Sequence, residues 1–331
     1  MKRVRIAALV LVVMLLVSMA AVAASRAEAV APTGERYKYY VVTHGGVADP
    51  FWGVVVKGVR DAGQMFNADV TYLGPETASI RELVDLLETA IAAKPDGIVV
   101  TITDQSAVDA PLRRAIADGI PVVAINVPDF RSDLDRIPYL AYVGADEYQV
   151  GVQAANRMLQ EFGATKPRRA VVLIQEVGHV GLETRARGIE DVFGEHGIPV
   201  DKLAGASDAA VNYAALDAYL TRHENTDAVF TLGPQGAHPA LQLLRDKNLA
   251  GGRVKMGAVD LSPTITQAIA EGDMVFTIEQ QQYLQGYMPI GLLTLYNNYG
   301  LIPRDNILTG PAVVDKSNVD IVVEMVRQNY R

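Results

Sequence analysis

Phe51 and Trp52 follow directly on Asp49 and Pro50, and Trp52 is the single tryptophan of the chain. Proline in a first helical turn with Asp beside it marks a helix start. Two rings at that point would make a stacking platform: the CH face of a sugar packs on an aromatic surface while its hydroxyls find polar partners around the rim. Packing of the same rings between a helix and a sheet is the other reading of the pair. Further on, single polar residues close apolar runs: Asp104, Asn126, Asp260 and Gln280, with Arg185 and Arg187 early in a helix behind another run. Each alone also suits an ordinary role, since Asp and Asn cap helices and arginines are commonly solvated. Together they supply a fork of donors from Arg, paired acceptors from Asp, and both kinds from Asn and Gln, the set that vicinal hydroxyls require.

Other chemistries find little support. The histidines, His44, His179, His196, His223 and His238, have no zinc-type spacing, so no metal site is expected. No Gly-x-Ser-x-Gly elbow, Walker loop or Gly-x-Gly-x-x-Gly follows a strand. Gly45-Gly46 could carry amides towards a phosphate at a helix start, a weak signal by itself. Carboxylate pairs for glycoside hydrolysis are neither excluded nor favoured by spacing. The expectation is a protein that captures a ligand without converting it and uses no cofactor.

The chain has 331 residues, half of them apolar and 21% charged, a globular composition large enough for two domains. Residues 1–23 read as a signal peptide: Lys2, Arg3 and Arg5, an apolar run from Ile6 to Val17, then Ala21-Val22-Ala23 as the cleavage step. The run is too short for a confident membrane anchor. Loss of its three positive charges takes the net charge from −8 to −11, an acidity that argues against a nucleic-acid partner. Cysteine is absent, which excludes disulfides, thiolate metal sites, a cysteine nucleophile and a lipoprotein anchor. The mature protein is expected free in the periplasm, with 24–36 as a flexible tail.

The elements that must hold these residues alternate regularly. Apolar runs at 39–43, 70–73, 97–102, 121–126, 140–143, 170–174, 228–232, 255–259 and 275–278 read as strands. Between them, 51–66, 80–93, 107–117, 149–162, 185–196 and 213–221 read as helices. Continuous runs such as Gly-Ile-Val-Val-Thr-Ile at 97–102 suit strands buried on both faces of a parallel sheet. The fold class expected is α/β, with doubly wound sheets in preference to a closed eightfold barrel. Such sheets bind ligands beyond the carboxyl ends of their strands.

Taken in order, the motifs resemble those of type I periplasmic binding proteins of the ribose-binding class, the capture subunits of sugar ABC importers. The resemblance runs from Tyr37 to Arg331. It comprises Ala48-Asp49-Pro50-Phe51-Trp52 (similar to Asn-Asn-Pro-Phe-Phe), Thr103-Asp104, Ile120-Pro121-Val122-Val123, Arg185-Ala186-Arg187-Gly188, Gly257-Ala258-Val259-Asp260, and Thr277-Ile278-Glu279-Gln280 followed by Gly286. It implies two Rossmann-like lobes, 37–145 with 281–308 and 146–280 with 309–331, joined by a three-segment hinge. Phe51 and Trp52 would border the sugar ring. Asp49, Asn126, Arg187, Asp260 and Gln280 would bond its hydroxyls, and Asp104 would cap a helix and line the cleft. Implied partners are a monosaccharide or related polyol, ABC permease subunits and a chemoreceptor, with the protein acting as a monomer. Three departures bear on the ligand: Asn126-Val127 stands where the ribose binder has Asp-Arg, Gly233-Pro234-Gln235 replaces Asn-Asp, and Ser207 replaces an aromatic. The second pattern is closer to autoinducer-2 and some other sugar binders, so an autoinducer-2-like ligand, or a polyol, is the alternative. A secreted α/β hydrolase is the enzyme alternative. A sugar-responsive repressor would need a helix-turn-helix where this chain has its leader.

Overall fold

Strands buried on both faces need apolar residues at every position, and four runs of this chain meet that demand without a break: Gly97–Val100, Val122–Ile125, Ala141–Ala145 and Ala170–Ile174 are buried throughout. In the computed structural model, which describes residues 36–45 and 49–331, these runs form the centres of two sheets. The signal peptide and nearly all of the expected tail lie outside the described residues, as do Gly46 and Ala48. A compact unit spans Tyr37–Arg331. Among the described residues no helix is long and apolar enough to cross a membrane.

The first half runs β1 (Lys38–Val42), α1 (Pro50–Met65), β2 (Asp69–Leu73), α2 (Ile80–Ala92), β3 (Gly97–Val100), α3 (Gln105–Ala117), β4 (Val122–Ile125) and β5 (Ala141–Ala145). The second runs α4 (Glu147–Phe162), β6 (Ala170–Ile174), α5 (Val180–Glu195), β7 (Val200–Ala204), α6 (Ala209–Arg222), β8 (Ala228–Thr231), α7 (Pro234–Asp246), β9 (Lys255–Val259), α8 (Pro263–Glu271) and β10 (Phe276–Glu279). The chain then returns to the first half with α9 (Gln282–Tyr299) and β11 (Ile307–Gly310). It ends on the second with β12 (Ala312–Asp315) and α10 (Val319–Arg327).

The sheets are ordered β11-β5-β4-β3-β1-β2 and β12-β10-β9-β8-β6-β7. Every pairing is parallel except β10 with β12. This is the expected pair of doubly wound sheets. Each reverses its strand order once, between β1 and β3 and between β6 and β8, and ligand sites form at such switch points. Alternate strand residues face opposite ways: Val99, Val123 and Ile125 pack with α1 and α9, whereas Ile98, Val100, Val122 and Ala124 pack with α2 and α3. Burying each such side chain contributes about 1.5–3 kcal/mol.

Three strands were not expected from sequence, and their physics explains it. Val-Asp-Lys-Leu-Ala of β7 is a half-exposed edge, and β11 and β12 are four-residue edge strands. Two helices begin a turn earlier than their patterns suggest: α6 starts at Ala209, where Asp208 caps it, and not at 213. α5 starts at Val180, not Arg185, because the His179 imidazole takes the capping role and its Nδ1 accepts from the amides of Gly181 and Leu182.

Candidate functional site

The carboxyl ends of both sheets face one cavity of about 390 Å³, a volume that includes space open to solvent. That lies at the small end of the about 300–1,000 Å³ usual for small-molecule sites. His44 follows β1, and Asp49, Phe51 and Trp52 start α1. Asn126 follows β4, Gln175 and Glu176 follow β6, Leu232 to Gln235 follow β8, and Asp260 follows β9. A wider space of about 730 Å³ shares Asp49, Trp52 and Glu176 with it and is flanked by Glu76 and Thr77 on one side and Ser207 and His238 on the other.

Local chemistry fixes these side chains. Asp49 caps α1, its Oδ1 accepting from the Phe51 amide at 2.9 Å, while its Oδ2 accepts from Gln235 Nε2 of the other half at 2.8 Å. Phe51 and Trp52 meet edge to face at 4.8 Å, and the His44 ring meets Trp52 in the same way at 4.9 Å. Asn126 and Asp260 both adopt left-handed backbone, with φ of 61° and 71°, a strained conformation that concentrates at functional sites. Tyr142 steadies the first of these turns by donating to the Asn126 carbonyl at 2.6 Å. Asn126 Nδ2 donates to Gln285.

Arg185 is the cation of the site. Its Nε and Nη2 donate to both carboxylate oxygens of buried Glu147, its Nη1 donates to the Leu232 carbonyl at 2.8 Å, and Asp260 Oδ2 lies 4.0 Å from Nη1. Burial works against its charge, but Glu147 and then Asp260 hold the guanidinium protonated.

Of the residues expected to bind, the structure brings Asp49, Phe51, Trp52, Asn126 and Asp260 to the cavity wall. Gln280 sits one layer behind, fully buried, donating from Nε2 to Asp260 Oδ1 at 2.8 Å. Asp104 caps α3 by accepting from the Ala107 amide at 3.1 Å and does not line the cavity. Arg187 is a correction. It is exposed, its guanidinium 5.7 Å from the centre of the Tyr148 ring, because two residues along a helix turn a side chain through about 200° from Arg185. The sequence reading missed His44, Gln175, Glu176, His179 and Gln235 as wall residues, although all but His179 fall within a few residues of a strand end.

Burial sets the ionisation of the wall. It pushes the Glu176 carboxyl up to about 7, with Asp49 repelling it further, and the Asp260 carboxyl up to about 7 against the opposing pull of Arg185 and Gln280. It lowers His44 to about 3 and His179 well below its ordinary range. His44, Glu176 and His179 place potential ligand atoms within 4.8 Å of one another. The trio nevertheless does not fit a metal ion: the His179 Nδ1 lone pair is spent on α5, so the neutral ring carries its proton on Nε2 and presents a donor.

Comparison with known proteins extends this geometry. Residues 39–298 match the family described as periplasmic binding protein domain. The chain is 28% identical over 299 residues to the xylose/arabinose-binding protein XylF of Sulfolobus acidocaldarius, covering 87% of this chain and 73% of that one. A carbohydrate transporter from Acidothermus cellulolyticus 11B, solved in complex with myo-inositol, is 30% identical with a TM-score of 0.80, covering 89% of this chain and all of that one. A periplasmic sugar-binding protein of an ABC transporter from Legionella pneumophila is 30% identical with a TM-score of 0.77, covering 83% of this chain and all of that one.

Proposed function

The chain belongs to the periplasmic binding protein domain family, and from that premise we propose that it captures one monosaccharide or related polyol between its two halves and delivers it to an ABC importer. The observation that carries this reading is convergence: Asp49, Phe51, Trp52 and Asn126 from one sheet and Arg185 and Asp260 from the other meet on one cavity. The sugar-binding names of its relatives, and the cyclitol held by one of them, support the ligand class.

In this role the two lobes are 37–145 with the α9 and β11 segment, and 146–280 with the C-terminal segment. The pairing of β11 with β5 as far as Gly310 supports a last crossing close to Leu308–Gly310, ahead of β12. The aromatic pair takes the ring face, Asn126 and Asp260 take hydroxyls, and Gln280 orients Asp260. Closure is favoured by the difference in affinity between closed and open forms. Each hydrogen bond to a hydroxyl nets about 0.5–1.5 kcal/mol, and about 1.5–3 where the partner is charged. A sugar lacking one hydroxyl leaves a buried group unpaired, which is the source of discrimination. No chemical step is involved. The protein works as a monomer in the periplasm, released there from its signal peptide, and its closed form is what permease subunits or a chemoreceptor would recognise.

Trp52 makes the test direct, because the only tryptophan lines the cavity and is 4% exposed. Titration of the purified protein with pentoses, hexoses and myo-inositol in the presence of chelator should give a saturable change in emission with at least one of them. Failure of every member to shift either the emission or the melting temperature would overturn the proposal.

A further inference from the structure

Three carboxyls face the cavity, and the only cation among its lining residues is already matched by a fourth. From this imbalance we propose that the cleft prefers an amine-bearing polyol, a sugar or cyclitol with an ammonium in place of one hydroxyl, over its neutral parent. The inference rests on the reading of the cleft as a polyol site.

Asp49, Glu176 and Asp260 line the cavity, while Arg185 gives two of its hydrogen bonds to Glu147, which stands behind it. His44 and His179 bring no charge, because burial holds both imidazoles neutral. Several acceptors of the wall also stand open. The Glu176 carboxyl makes no hydrogen bond among the described residues, and His44 Nε2 lies 3.9 Å from its Oε2. Asp260 Oδ2 has only the 4.0 Å contact to Arg185. Gln175, 6% exposed, lines the cavity with its Oε1 unpartnered, and so does Gln235 Oε1.

A hydroxyl brings one donor and seeks donors in return. An ammonium brings three donors, accepts nothing, and makes charge-assisted bonds roughly twice as strong as neutral ones. The wall therefore matches the second guest better. A metal ion would answer the same charge, but His179 lacks the lone pair to hold it. A sugar acid would bring a fourth carboxyl up against the three of the wall. Without a cationic guest, burial favours the protonated form of the Glu176 and Asp260 carboxyls.

The test compares matched probes on the full protein at about pH 7.0, where an amine with a pKa near that of an α-amino group, about 7.7–8.0, is mostly protonated. Glucose, glucosamine and glucuronate form one series, and scyllo-inositol with scyllo-inosamine the other. Within the series whose neutral member binds, the amine should bind about tenfold more tightly or better, and the uronate more weakly than its parent. In Glu176→Gln the ratio of amine to parent affinity should fall towards one, with circular dichroism and thermal unfolding reporting an intact fold. Equal or weaker binding of the amine, or a ratio unchanged by Glu176→Gln, overturns the inference and leaves the polyol reading standing. Tight binding of zinc alone, lost in Glu176→Gln, would also overturn it. Binding by no member of either series, nor by any of the pentoses, hexoses and myo-inositol, overturns both.

Discussion

At the scale of single residues the site turns on Arg185. A buried guanidinium and carboxylate pair gains little over an apolar pair of the same shape, but removing one partner strands the other. Arg185→Ala would leave Glu147, 1% exposed, with no counter-charge and the Leu232 carbonyl without its donor. A loss of about 3–5 kcal/mol is expected in denaturant unfolding, together with loss of ligand binding. Arg187→Ala, two residues on, should stay within about 0.5 kcal/mol and bind normally, because its side chain lies in solvent over Tyr148. If Arg187→Ala were the damaging variant, the assignment of the cation would be reversed. The contrast also marks where sequence failed. Asp49, Phe51, Trp52, Asn126 and Asp260 were legible because each directly follows a strand or opens a helix, where chain geometry leaves little choice. Choosing between Arg185 and Arg187 needed the helix phase, which depends on a histidine cap outside the usual Ser, Thr, Asp and Asn set. Gln175 and Glu176 were legible in principle, since they directly follow Ile174 at the end of β6.

At the scale of elements, the site depends on how closely helices cross. α5 carries Arg185 and packs on α4 through Gly151 and Gly188: a Cβ at Gly188 would lie 2.4 Å from the Tyr148 carbonyl oxygen. Gly188→Ala must therefore push the two helices apart. The expected cost is about 1–3 kcal/mol, with weaker ligand binding as Arg185 shifts. Gly194, on the same helix, has nothing within 4 Å of its would-be Cβ. Gly194→Ala should instead stabilise by about 0.4–1 kcal/mol through the unfolded chain and leave binding alone. Parallel denaturation curves and titrations decide the matter, and equal effects from the two would show that close approach is unimportant. The close crossing itself was invisible to periodicity, which reports which face is apolar but not how near two backbones come. The same limit applies to strands. The central ones read clearly from unbroken apolar runs such as Val171 to Ile174, whereas β7 mixes Asp201 and Lys202 into a half-exposed edge and gives no such run.

At the scale of the whole molecule, contact between the halves across the cleft buries groups that water would otherwise ionise. His44 of the first half lies against Glu176 and His179 of the second, and Asp49 bonds Gln235. Proton linkage then has two opposing parts. His44 and His179 titrate below their ordinary 6.5 in the folded protein, so the unfolded chain binds more protons and stability rises with pH up to about 6.5. Glu176 and Asp260 titrate near 7, above their ordinary 4.5 and 3.8, so the folded protein binds more protons and stability falls as pH rises from about 4 through 7. Between about pH 4.5 and 6.5 the parts offset one another. At pH 6.5 the unfolded histidines are still half protonated, so their part keeps offsetting the carboxyls until about pH 7.5. The ligand-free protein should thus lose about 1 kcal/mol net between about pH 6.5 and 8, seen as a falling melting temperature. Glu176→Gln should remove most of that net fall, because an amide has no proton to lose and the histidines offset much of what Asp260 contributes. A melting temperature that climbs across this interval would mean that these carboxyls reach water in the free protein, and that the two halves do not stay in contact without a guest.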